Sequence, residues 1–265
     1  MSRSSAASRA RRAVWPIAAV GALVLLGWAA ASAVNARLPG PSTIFRELGA
    51  MIADGSAASI LGRTALFMGV CFAIAAALGV ALGLVLGVHP ALDRGASPYL
   101  AALQAMPTGL WIPVAAIALG TSTTTLGAVV TLGAVPAITL GTRTAVKSIP
   151  PILLRAGHTF GERGVSMLRR VVLPAALPGI VTGLELGWSI AFRCLVAGEI
   201  FSGAIGGTGI GRVIARSRET GSLTEMLATI LIILGLSIAV DRAVFSQIQH
   251  RLRRTRGLVD SGLPH

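Results

Sequence analysis

The chain has 265 residues, 54% of them hydrophobic and only 12% charged, with a mean hydropathy of +0.77. That balance excludes an ordinary soluble domain, in which about a quarter of the residues are charged. The net charge of +13 would suggest nucleic acid in a polar chain, but here the charges lie between long apolar runs, so they read as topology signals and no nucleic-acid partner is expected.

A helix needs about 20 apolar residues to cross roughly 30 Å of hydrocarbon, because lipid offers no partner to open backbone groups. Six runs qualify: Val14–Val34, Ala65–Val88, Tyr99–Leu119, Thr124–Leu140, Leu177–Ile200 and Leu223–Phe245. The expected fold class is all-α, a polytopic membrane protein with six transmembrane helices. The first run follows Arg9, Arg11 and Arg12 and precedes small residues, as in a signal peptide. It is longer than the roughly 7 to 15 residues of a signal core, which favours a retained anchor.

Basic residues set the orientation. With the N-terminus inside, fifteen of the 23 Lys and Arg residues, among them Arg94, Arg143, Lys147, Arg155, Arg163, Arg169 and Arg170, fall on the cytoplasmic side. Both termini are then cytoplasmic. The chain divides into a basic tail (1–13), the first helix with an outer segment (14–64), a core (65–245) containing an inner loop (142–176), and a second basic tail (246–265). The Lys/Arg-rich tails would touch anionic membrane lipid, a generic attraction.

The second predicted span carries Gly79, Gly83 and Gly87, and the fifth carries Gly179, Gly183 and Gly187. Small residues four apart let helices approach closely, and tight packing within one bundle is preferred over a subunit interface. The third span contains Gln104, Met106, Pro107, Thr108, Gly109, Trp111 and Pro113. Two readings stay open: a broken helix lining a pathway, or an ordinary proline kink.

The inner loop is polar and basic, yet Ile152, Leu153, Leu154, Phe160, Val165, Met167 and Leu168 recur at helical spacing, which predicts short amphipathic helices at the membrane surface. Pro150 and Pro151 mark its start, Gly161 and Gly164 its middle, and Pro174 and Pro178 its exit into the fifth span.

Ionisable groups at membrane depth each cost a few kcal/mol unless they face protein or water. The fifth span has Glu185, Arg193 and Glu199. Glu185 and Arg193 lie about 80° apart around the helix, so they can share an interior face without pairing directly. Asp241 and Arg242 in the sixth span are read as snorkelling. Cys71 and Cys194 are read as small buried hydrophobes rather than a disulfide or metal pair.

The stretch Gly206–Val213 has glycines to spare but lacks the Lys and Ser/Thr of a phosphate-binding loop. His89, His158, His250 and His265 have no metal spacing, and no nucleophile with an ordered base is evident. A catalytic role is not expected.

Arg155-Ala156-Gly157-His158-Thr159-Phe160-Gly161, continuing through Leu173-Pro174-Ala175-Ala176-Leu177-Pro178-Gly179, resembles the EAA loop of ABC importer permeases. Ala156, Gly161, Leu173 and Pro174 match that pattern; Arg155 stands where Glu is usual and Gly157 where the second Ala is usual. The resemblance extends over roughly Leu61–Phe245 and is nearest to permeases of the nitrate, sulfonate and taurine group.

What the resemblance implies is a type I importer permease fold. Two permease copies, most simply a homodimer, would frame a path for a small anion, two cytoplasmic ABC ATPases holding ATP and Mg would drive it, and an extracytoplasmic binding protein would deliver the solute. The permease would bind no cofactor of its own. The ATPase-coupling residues would be Arg155, Ala156, Gly157, Phe160, Gly161 and Glu162, and the path residues Met106, Pro107, Trp111, Glu185 and Arg193. The alternative is an ion-coupled secondary transporter or channel using Glu185 and Arg193, which would need no ATPase.

Overall fold

The computed structural model describes residues 21, 23, 25–35, 38–120, 122–201, 210–249 and 251. The basic tail 1–13, the start of the first predicted span, most of the glycine-rich stretch and the C-terminal tail beyond 251 lie outside the described residues.

Among the described residues every regular element is helical. In chain order they are α1 (Leu25–Val34), α2 (Pro41–Ala53), α3 (Ser56–Val88), α4 (Pro90–Ala105), a 3-10 turn (Thr108–Leu110), α5 (Trp111–Leu119) and α6 (Thr123–Lys147). There follow α7 (Pro151–Thr159), α8 (Gly164–Met167), a π-helical stretch (Leu168–Val172), α9 (Leu173–Phe201), α10 (Ile210–Glu219), α11 (Leu223–Val240) and a second π-helical stretch (Asp241–Ser246). Local chemistry sets several starts: Pro41, Pro90 and Pro151 each open a helix where the missing N–H costs nothing. Ser122 caps α6 by accepting the Thr125 N–H at 3.2 Å.

Four of these helices are long and apolar enough to cross a membrane: Ser56–Val88, Thr123–Lys147, Gly164–Ile200 and Leu223–Gln249. The third predicted span, Tyr99–Leu119, is instead two shorter helices, α4 and α5. Pro107 supplies no N–H and drives Met106 to extended backbone, ψ 135°, so α4 stops there. The fifth predicted span starts earlier than its apolar run, at Gly164, and passes through Pro174 and Pro178 unbroken. A proline inside a helix crowds the carbonyl four residues back; the π-helical stretch just before Pro174 opens the hydrogen-bond spacing where that crowding would arise.

The core is a three-helix sandwich with α6 in the middle. β carbons added at Gly79, Gly83 and Gly87 of α3 would lie 2.6, 2.5 and 2.7 Å from the β carbons of Ile138, Thr142 and Val146 of α6. Both series rise together, so α3 and α6 run parallel. On its other side, α6 meets α9 through Gly141 with Gly183, Ala145 with Gly179, and Ile138 with Gly187; these pairs run in opposite senses, so α9 is antiparallel. Both glycine stripes therefore pack within one bundle. Met68, Ala75, Val130, Ala134, Ile138, Ala191 and Leu195 fill the core, and Cys71 and Cys194 are free and buried within it. Leu66, Leu78, Leu82 and Val85 project from α3 away from the core, as a lipid-facing surface requires.

Candidate functional site

The loop end of the bundle is built from the last turn of α6, α7, α8 and the start of α9. Ile149 is buried just after α6 and joins Val146, Met167, Val172, Ala176 and Ile180 in a small apolar cluster, onto which α7 lays Leu154. Gly157 is the buried residue of α7: a β carbon there would meet Met167 Sδ at 2.8 Å and Val171 Cγ2 at 3.0 Å. The expected docking residue Gly157 thus faces its own protein, and its lack of a side chain lets α7 approach α8.

The opposite face of α7 is open. Phe160 is 84% exposed, and Ile152, Leu153, Arg155 and Ala156 are exposed beside it. α7 ends in a Schellman turn: the Gly161 N–H donates to the His158 carbonyl and the Glu162 N–H to the Gly157 carbonyl, each at 3.0 Å. Gly161 takes φ +81°, the left-handed region where a β carbon is penalised. Gly164, at φ +54°, turns the chain into α8.

Arg170 Nη1 donates to Glu162 Oε1 at 2.7 Å. Hydrogen bonding from Ser166, and then from Arg170, holds the Glu162 carboxyl below the usual carboxylate range. This pair rims an open groove of about 550 Å³ between α7 and the start of α9, walled by Leu153, Ala156 and Phe160 and floored by Val171, Pro174 and Ala175. Of the six predicted coupling residues, Ala156, Gly157, Phe160 and Glu162 line this groove, and Arg155 and Gly161 are exposed outside it.

The predicted path residues are not all brought together. Met106 and Pro107 are exposed at the break between α4 and the 3-10 turn, while Trp111 is half-buried against the main core. Glu185 accepts a hydrogen bond from Gln249 Nε2 at 2.6 Å, and Arg193, exposed on the outside of the bundle, donates to Ser189 Oγ at 3.0 Å. At the end away from the loop, Glu199 Oε2 accepts the Gly211 N–H at 2.6 Å, tying α9 to the first turn of α10. A cleft of about 540 Å³ lies at that end, lined by Glu47, Asp54, Arg212, Arg216 and Glu225, with Arg216 and Glu225 paired at 2.7 Å. Among the described residues no three His, Cys, Asp or Glu side chains converge to hold a metal ion.

Sequence reasoning missed one feature. Asp93, which falls between the second and third predicted spans, is buried under hydrogen bonds from Arg143 Nε, Arg143 Nη2 (2.8 Å), Lys147 Nζ and Ser97 Oγ. Arg143 first, then Lys147 and Ser97, hold its carboxyl far below the usual carboxylate range. Arg143 and Lys147 count in the sequence among the cytoplasmic-side charges; their spacing of one helical turn is the available signal of a shared partner.

Residues 79–254 match the family described as binding-protein-dependent transport system inner membrane component, and the chain belongs to it. It is 25% identical to the bicarbonate transport system permease protein CmpB of Synechocystis over 65% of this chain and 61% of that protein. It is 28% identical to the nitrate import permease protein NrtB of Leptolyngbya laminosa over 60% of this chain and 56% of that protein. It is 26% identical to the taurine transport system permease protein TauC of Escherichia coli over 72% of this chain and 64% of that protein. The matched regions thus span under two thirds of these relatives' lengths. In fold it is similar to a chain of the MetNI methionine ABC transporter in an inward-facing conformation, with TM-score 0.63 and 21% identity over 74% of this chain and 95% of that one. The chain is a multi-pass membrane protein of the binding-protein-dependent transport family.

Proposed function

We propose that this chain is the membrane-spanning permease subunit of an ATP-driven importer, and that α7 is the element through which a separate cytoplasmic ATPase moves it. One observation carries this: a nine-residue helix at the bundle's end seats its small side on its own protein and leaves Ile152, Leu153, Ala156 and Phe160 exposed beside a groove. An amphipathic helix fixed at both ends by prolines and a Schellman turn is suited to seat in a partner's groove as a rigid body. Arg155, Ala156, Phe160, Gly161 and Glu162 are the docking residues in this reading, and Gly157 keeps α7 close to α8.

Two permease copies and two ATPases, the latter carrying ATP and Mg, make the unit. In that arrangement the loop end and both termini are cytoplasmic, and a binding protein approaches the opposite end. The chain makes and breaks no covalent bond. The solute is a small anion, as the names of the bicarbonate, nitrate and taurine relatives suggest. The exposed break at Met106 and Pro107 and the cation Arg193 line its path, with Trp111 and Glu185 supporting that surface from within the bundle.

The test is purification from native membranes in mild detergent followed by an ATPase assay, comparing the natural protein with Gly161→Asp. An ATPase subunit that accompanies the natural protein and is lost or uncoupled in the variant supports the reading. Purification without an ATPase, together with solute movement down a gradient in vesicles, would replace it with a secondary transporter.

A further inference from the structure

α4 leads directly to the break at Met106, yet none of its apolar side chains is fully buried, Ala96 and Leu100 being half-buried. Its one buried residue is Asp93, 3% exposed, while Leu92, Tyr99 and Leu103 are exposed. Asp93 is also the only buried acid among the described residues. Its carboxylate takes a two-pronged grip from Arg143 and a further bond from Lys147, both on the final turns of α6. Lys147 ends α6, and three residues on Pro150 begins the entry to α7. The carboxylate is therefore the point at which the helix carrying the break is fastened to the element that carries α7.

We propose that Asp93 is a positioning residue that transmits displacement of α7 to the broken segment around Met106–Leu110. This rests on the reading of α7 as the ATPase contact. A buried charge held by two cations favours one arrangement strongly over a partly separated one, because a carboxylate that loses its partners away from water is heavily penalised. The α6 end and α4 must then move together. With no apolar side chain of α4 fully buried, motion at α7 is delivered along α4 to Pro107 rather than absorbed by sliding. A helix held only by a spread apolar face could instead take up part of the motion by small sliding of the packed surfaces.

The experiment uses the reconstituted permease–ATPase complex with a reporter, Leu110→Cys, which sits exposed in the 3-10 turn; the natural Cys71 and Cys194 are buried. The rate of N-ethylmaleimide labelling is compared without nucleotide and with ATP plus vanadate. With Asp93 present the two rates differ. In Asp93→Asn that difference is lost, although the ATPase still co-purifies and still hydrolyses ATP. A nucleotide dependence in Asp93→Asn equal to that of the Asp93 protein overturns the proposal, as does a reporter rate that ignores nucleotide when Asp93 is intact. A merely structural role would lower the melting midpoint without abolishing the nucleotide response. If Asp93→Asn does not assemble, Arg143→Gln, which removes the two-pronged grip and leaves the Lys147 bond, decides between the same outcomes. Absence of any ATPase from the Asp93 protein would instead sink the reading of α7, and is seen separately at purification.

Discussion

Gly141 of α6 and Gly183 of α9 meet so closely that a β carbon added to Gly141 would lie 2.6 Å from the Gly183 Cα. No side-chain rotation relieves that overlap, because the obstructing atom is backbone. Gly141→Ala should therefore force the two helices apart and lower stability by roughly 1–3 kcal/mol. Gly69→Ala on α3, where nothing lies within 4 Å, should be neutral or slightly stabilising, since alanine is the better helix former by about 0.5–1 kcal/mol. Melting midpoints of the two variants in the same detergent check the contrast.

Gly161 presents the reverse case. Nothing lies within 4 Å of a β carbon there, but its φ of +81° is costly for any side chain. Gly161→Val should strain the Schellman turn by about 1–2 kcal/mol and loosen the ATPase, whereas Gly161→Asn, which tolerates the left-handed region, should retain more of it. The ratio of ATPase to permease after purification reads the order: natural protein, then Asn, then Val.

These cases divide what the sequence could disclose. Where one residue's backbone chemistry decides, as at Pro151 and Gly161, the start and the turn could be read from residue type and position, whereas at Pro107 residue type alone left a break and a kink equally open. The two glycine stripes were likewise visible as faces meant for close approach. That both faces meet the same helix, one parallel and one antiparallel, depends on which spans are neighbours, and a single chain does not carry that. Asp93 and Arg143 are 50 positions apart, so their pairing was invisible although the turn spacing of Arg143 and Lys147 hinted at it. Gly157 looked like a departure from a motif; its reason lies in Met167, on the far side of a turn.

Asp93 also predicts a pH dependence. Its pKa in the folded protein is depressed below the usual value of 3.8, so ionisation stabilises the fold wherever pH exceeds that value, and the contribution is lost as pH falls through the lower folded pKa. Between pH of about 8 and about 5 the stability difference between the natural protein and Asp93→Asn should stay constant. Below 3.8 it should narrow. Melting midpoints across that series check it; a gap that changes between neutral and mildly acidic pH would show that Asp93 is not held ionised.

Thr139 and Thr142, fully buried on α6, have hydroxyls without a hydrogen-bond partner among the described residues. An unsatisfied buried hydroxyl costs about 1–3 kcal/mol, and replacement by an apolar group of the same shape removes that cost. Thr139→Val should hold or raise the melting midpoint. Thr142→Val should gain less, because Gly83 packs directly against this side chain and leaves no room for readjustment.

Arg193 stands exposed on the outside of the bundle and, among the described residues, donates to Ser189 Oγ, on a helix long and apolar enough to cross the membrane. A cation at that depth is expensive unless it faces protein or water, and a path framed by a second copy of the chain would supply both. If the cation draws an anion along that path, Arg193→Gln should lower uptake of labelled taurine, nitrate or bicarbonate, whichever the reconstituted complex carries, by about tenfold or more, the effect of some 1.4 kcal/mol. Arg193→Lys should recover part of the loss, since it keeps the charge and forgoes only the fork. ATP hydrolysis should continue in both variants, because α7 lies at the far end of the bundle. Uptake by Arg193→Gln equal to that of the natural protein would assign Arg193 to the contact between the two copies.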